Sequence, residues 1–102
     1  MRELLPNRRA HELFDFEHDG HKFTASVSRY ADGRPGEIFI NSRGKSGSQA
    51  ETNAKDAAIA ASFALQFGAD VEALRRALCR DGNGRASGPL GAALDRVAGG
   101  GQ

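Results

Sequence analysis

Residues 14–41 read FDFEHDGHKFTASVSRYADGRPGEIFIN, and the period of two running through them sets the fold. Phe14 and Phe16 alternate with Asp15 and Glu17, the spacing of a half-buried strand. Asp19-Gly20 is a two-residue turn signal of the kind that closes a hairpin. From His21 to Tyr30 the alternation resumes, with Phe23, Ala25 and Val27 on one face and Thr24, Ser26 and Ser28 on the other. Asp32-Gly33-Arg34-Pro35-Gly36 is rich in turn formers and reverses the chain again. Glu37 to Asn41 then gives a third strand with Ile38 and Ile40 inward; Phe39 falls on the opposite face, either covered or offered to a partner. Three strands joined by short loops predict an antiparallel meander.

The period changes beyond Arg43. Ser48 followed by Glu51 fits a capping box, in which hydroxyl and carboxylate satisfy free amides at a helix start. The helix is expected from about Gln49 to Phe67, ending at Gly68. Its alanine-rich body, Ala57 to Leu65, is apolar nearly all round, which predicts burial on several sides. Asp70 caps a second helix with Val71, Leu74 and Leu78 on one stripe and Glu72, Arg75 and Arg76 outside. Asp81-Gly82-Asn83-Gly84 breaks the chain as a plain turn. Pro89 opens a third helix, in which Leu90, Ala93, Leu94 and Val97 recur at helical spacing. The fold class is therefore α+β: a three-stranded antiparallel meander, a long buried Ala-rich helix and two shorter helices. Residues 1–10 read as a flexible N-terminal segment, 11–98 as a single domain and 99–102 as a flexible tail.

Length and charge bound the function. The 102 residues suit one core, and a mean hydropathy of −0.50 is ordinary for a soluble chain. Fourteen basic and 13 acidic residues leave a net charge of +1, so any pull on nucleic acid or a phosphate must be local. Cys79 is the sole cysteine, which excludes an intrachain disulfide and a dithiol pair; at a helix end it reads as packing. No stretch is long enough to cross a membrane and Met1 to Asn7 lacks the apolar core of a signal peptide, so the expected address is the cytoplasm.

The candidate site is the loop Arg43-Gly44-Lys45-Ser46-Gly47-Ser48, which sets two cations and two hydroxyls before a helix start. Free amides and the macrodipole attract anions there. Arg43, Lys45, Ser46 and Ser48 are the expected phosphate or ligand contacts, with Arg34 and Lys55 as secondary ones. The alternative is a plain capped loop. Gly44-Lys45-Ser46 does not complete a nucleoside-triphosphatase loop, because the position five before Gly44 is Phe39. His18 and His21 flank the first turn as exposed turn residues; with no cysteine cluster or carboxylate at ligand spacing they predict no metal. Asp32 and Glu37 flank the second turn, where Arg34 between them predicts a salt-bridged loop rather than an acid–base pair. No catalytic set and no cofactor is expected, and the chain reads as a non-enzyme.

Arg8-Arg9, then Asp32-Gly33-Arg34-Pro35-Gly36-Glu37-Ile38-Phe39-Ile40, then Ala64-Leu65-Gln66-Phe67-Gly68 and Ala86-Ser87-Gly88-Pro89-Leu90-Gly91 carry a resemblance. Across roughly residues 8–98 the chain resembles the C-terminal accessory (TSCPD) domain of adenosylcobalamin-dependent, class II ribonucleotide reductases. The sequence departs from that family in having no Thr-Ser-Cys-Pro-Asp segment and no cysteine pair, so the resemblance carries over no reductase chemistry. It implies a stand-alone accessory domain that binds a phosphate-bearing nucleotide or a nucleotide-metabolism enzyme such as the reductase; the short chain and the apolar helix add the expectation of a homodimer or small oligomer. A second similarity, to double-stranded RNA-binding domains, rests on strand order and on Arg43, Lys45 and Lys55 near a helix start, and implies a nucleic-acid-binding module.

Overall fold

A computed structural model describes residues 1–7, 10–44 and 48–98. Three strands, β1 (Ala10–His18), β2 (His21–Arg29) and β3 (Pro35–Ser42), are followed by helices α1 (Gln49–Gln66), α2 (Val71–Ala77) and α3 (Pro89–Ala98). The sheet order is β1-β2-β3, antiparallel throughout. Asp19 and Gly20 both take positive φ, 51° and 79°, the geometry whose twist matches the flanking strands.

The predicted alternation is the burial pattern. Phe23, Ala25, Val27, Ile38 and Ile40 are buried on the inner face, where α1 and α3 cover them with Ala54, Ala58, Ala61, Leu90, Ala93, Leu94 and Val97. All four stripe residues of α3 are buried, which ties the third helix to the sheet. On the outer face, Phe39 is 44% exposed.

α1 is buried along one side rather than several. Its alanines and Leu65 pack inward, while Ile59 and Phe63 on the far side are each 47% exposed. A three-stranded sheet and one companion helix cover only one flank of an 18-residue helix. That flank does more than bury carbon. Ser62 Oγ accepts from the Ile38 N–H at 2.9 Å and shares its own proton between the carbonyls of Ile38 (3.0 Å) and Ala58 (2.9 Å). Gln66 Nε2 donates to the Gly36 carbonyl at 2.9 Å. At Gly36 and Ile38, helix α1 thus supplies hydrogen bonds that a fourth strand would have given the outer edge of β3.

α2 and α3 are braced by charge. Asp95 on α3 accepts from Arg75 at 3.1 Å and from Arg80 at 2.9 Å, and those bonds, Arg80's foremost, hold its carboxyl below the usual carboxylate range. Arg75 is therefore half-buried in a clamp with Glu72 and Asp95, not simply outside as its stripe position suggested. The turn after α2 is the plain one expected, with Asp81 Oδ1 accepting from the Asn83 and Arg85 amides. Cys79, read as packing, is exposed instead, because the chain leaves the helix one residue earlier, at Leu78.

The N-terminal segment, read as flexible, touches the domain at several points. The Glu3 N–H donates to the Gln66 carbonyl at 2.7 Å, the Tyr30 hydroxyl donates to the Glu3 carbonyl at 2.6 Å, and Arg2 Nε donates to Gln66 Oε1 at 2.6 Å. The tail 99–102 lies outside the described residues.

Candidate functional site

The end of the sheet that carries the basic loop opens into a hollow of about 430 Å³. Its walls are Gly20, His21 and Lys22 at the β1–β2 turn, and Ser42, Arg43, Gly44 and Ser48 between β3 and α1. The hairpin register makes these two segments neighbours. The Arg43 N–H continues the β2–β3 ladder by donating to the Lys22 carbonyl at 2.8 Å. Gly44 then turns away, its N–H donating to Ser42 Oγ at 3.2 Å.

Of the residues expected to form the site, Arg43 and Ser48 line this hollow; Lys45 and Ser46 lie outside the described residues. Arg34 is at the other end of β3, paired with Asp32 at 2.7 Å and with Glu3 at 3.0 Å. Lys55 sits about two turns into α1, 3.8 Å from Glu51, beside a separate hollow with Phe39, Asn41 and Ile59. Lys22 and His21 are the contributions that the loop alone did not reveal. Only the antiparallel register, which sets Phe23 opposite Ser42, brings them to it.

Charge in the hollow is partly compensated. Arg43 is 3.5 Å from Asp15, a half-exposed pair whose attraction water screens. Ser48 Oγ accepts from the Glu51 N–H at 3.1 Å, the expected cap, and Glu51 itself is buried in the first turn. A carboxylate there already answers the positive end of the helix dipole. The cations that border the hollow are Lys22 and Arg43.

The hairpin tip is held by His18. Its Nε2 lies 3.1 Å from the Ser87 carbonyl and its side chain is 15% exposed, so it ties the turn to the segment before α3 and is not the exposed turn residue expected. His21 is exposed. Among the described residues no group of three histidine, cysteine or acidic side chains has metal-ligand geometry.

At the opposite corner, two of the segments that carried the family resemblance, the Asp32-to-Gly36 turn and the Ala64-to-Gly68 helix end, converge. Asp32 accepts from the Arg34 backbone at 3.1 Å and from its guanidinium, and those bonds hold the Asp32 carboxyl below its ordinary range. The salt-bridged loop expected between Asp32 and Glu37 is present. Arg34 lies 4.6 Å over the Tyr30 ring. Burial, and next the Glu3 charge, push the Tyr30 phenol upward. The ring in turn crowds Gly36, where an added Cβ would lie 2.6 Å from Tyr30 Cε2 and 2.9 Å from Leu5 Cδ2. Gln66 reaches that same Gly36 from α1, and Gly68 ends the helix at φ 105° with the paired Ala69-to-Ala64 and Gly68-to-Leu65 bonds of a Schellman cap.

The TSCPD domain model matches residues 4–97, spanning both this corner and the hollow. The chain belongs to the TSCPD domain family. A vitamin B12-dependent ribonucleotide reductase from Agrobacterium fabrum is 39% identical over 71 residues, which are 70% of this chain. The chain spans about 6% of that relative's length. No solved structure gives a significant match. In this TSCPD domain, the Asp-Gly-Arg-Pro-Gly turn and the Ala-Leu-Gln-Phe-Gly helix end are one structural joint. No helix among the described residues is long and apolar enough to cross a membrane.

Proposed function

We propose that this TSCPD domain is a non-catalytic accessory domain that works beside a ribonucleotide reductase and takes a phosphate-bearing nucleotide in the hollow at the start of α1. The observation that carries the reading is the convergence of Lys22 and Arg43, from two different strand ends, on one cavity of about 430 Å³. That volume is in the range of about 300–1,000 Å³ typical of small-ligand sites. Two cations with a serine and a glycine backbone are the groups that recognise phosphate oxygens. The reductase relative supports the choice of partner, because the matched segment is a small part of a chain named for nucleotide chemistry.

Titration calorimetry with ribo- and deoxyribonucleoside triphosphates tests the ligand. Binding by the unaltered protein is expected, with Lys22→Ala and Arg43→Ala each weakening it by about tenfold, the scale of one charge-assisted hydrogen bond. Affinity unchanged from that of the unaltered protein in both variants would remove the hollow from the account. A nucleic-acid module would instead bind duplex RNA with an affinity falling steeply as salt rises, through counterion release. Arg43 and Lys22 would serve that reading as backbone contacts.

A further inference from the structure

The two edges of the sheet are treated differently, and the difference points to a second copy of this chain. Ile38 sends both its N–H and its C=O to Ser62, away from β2. Alternation along the strands then directs the backbone groups of Phe23, Ala25 and Val27 toward β1, where they oppose Phe16, Phe14 and Glu12. The groups of His11, Leu13 and Asp15 are thereby left pointing outward. The Asp15 carbonyl confirms the direction, since it accepts from Arg96 of α3 at 3.2 Å.

The β3 edge is met at Ile38 and Gly36 by the side chains of Ser62 and Gln66. Among the described residues no strand lies on the outer side of β1, and its edge carries Leu13 at 65% exposure. Phe14 and Phe16, on the core face of β1, are only partly buried, with Arg96 of α3 lying 4.9 Å over the Phe14 ring. An open edge of this kind is a template for another strand.

We infer that β1 pairs antiparallel with β1 of a second copy, about a two-fold axis at Leu13, to form a continuous six-stranded sheet. The sequence of the edge is self-complementary in that register. Leu13 meets Leu13, and His11 faces Asp15 of the second copy on both sides of the axis. On the inner face Phe14 lies opposite Glu12 of the second copy, whose carboxylate is already engaged by Arg29 at 2.8 Å. The outward N–H and C=O groups of His11, Leu13 and Asp15 find ladder partners. The Asp15 carbonyl has a second lone pair, so Arg96 keeps its contact. Shifting the axis to Asp15 would set two carboxylates against each other. This pairing stands independently of what the hollow binds.

Sedimentation equilibrium of the full chain tests it. A concentration-dependent dimer is expected. Leu13→Lys places two ammonium groups at the axis and weakens the dimer by about a hundredfold, the effect of like charges facing across an interface. His11→Asp, which sets Asp against Asp15 of the second copy, also weakens it, and adding Asp15→His restores it. Circular dichroism of each variant keeps loss of fold separate from loss of pairing, since all three positions are exposed. A wild-type chain that stays monomeric, a dimer indifferent to Leu13→Lys, or a charge swap that leaves the dimer broken would each overturn the pairing.

Discussion

The two ends of β3 are made of similar material and do opposite things. At Gly36 the strand is enclosed: Tyr30 against its Cα, Gln66 on its carbonyl, and Arg34 and Glu3 outside the ring. At Ser42 the strand opens into a hollow lined by Lys22, Arg43 and Gly44. Both ends carry glycine, arginine and a polar turn. At the first end the arginine is saturated by two carboxylates and an aromatic face. At the second, the carboxylate that Arg43 meets among the described residues is a screened one at 3.5 Å, and Arg43 lines the hollow. The Asp32-to-Gly36 turn and the Ala64-to-Gly68 helix end thus hold the domain shut at one end of β3, while the cations Lys22 and Arg43 border a hollow at the other.

That contrast can be broken most severely at Gly36. Gly36→Val forces carbon into a ring fixed by its hydroxyl and by Arg34, and is expected to cost about 3 kcal/mol, the upper range for overpacking a fitted site. Urea unfolding reads it as a lower midpoint with unchanged slope. Gly36 tolerating valine would mean that the corner is slack and that the family residues there serve something other than packing. Ser62→Ala comes next. It removes the only described partner of the Ile38 N–H and leaves a buried donor unsatisfied, at about 2 kcal/mol. Hydrogen exchange is expected to quicken first at Ile38 and Ile40, and uniform loosening of the whole domain would instead show that α1 and β3 open as one unit. Arg43→Ala is the smallest. Its pair is half-exposed and screened, so the denaturation midpoint should shift by less than about 0.5 kcal/mol in stability terms. A larger loss would make the open end as structural as the closed one.

Legibility followed the range of the interaction. The strands were readable because Phe23, Ala25 and Val27 alternate without interruption, and burial on one face of a sheet imposes that period. The caps of α1 were readable because Ser48, Glu51 and Gly68 act within a few residues of themselves. The helix was harder: an apolar surface all round does not say which flank has a neighbour, and Ile59 and Phe63 turned out to face outward. His18 and Arg75 were misplaced for a related reason. Each is held by a group far along the chain, Ser87 and Asp95, and no local pattern announces a partner at that separation. Only half of the hollow was visible beforehand, since Lys22 joins Arg43 through strand register.

The sequence by itself determined the three strands, their antiparallel order and the helix starts and stops, because these depend on periodicity and on turn and cap chemistry acting over short stretches; the family was legible only as a resemblance of particular motifs. Only the tertiary structure decided that Ser62 and Gln66 replace a fourth strand, that the motif residues form one closed corner, and that Lys22 meets Arg43. Those outcomes depend on which backbone edge is left unsatisfied and which side chain, distant in sequence, is near enough to answer it.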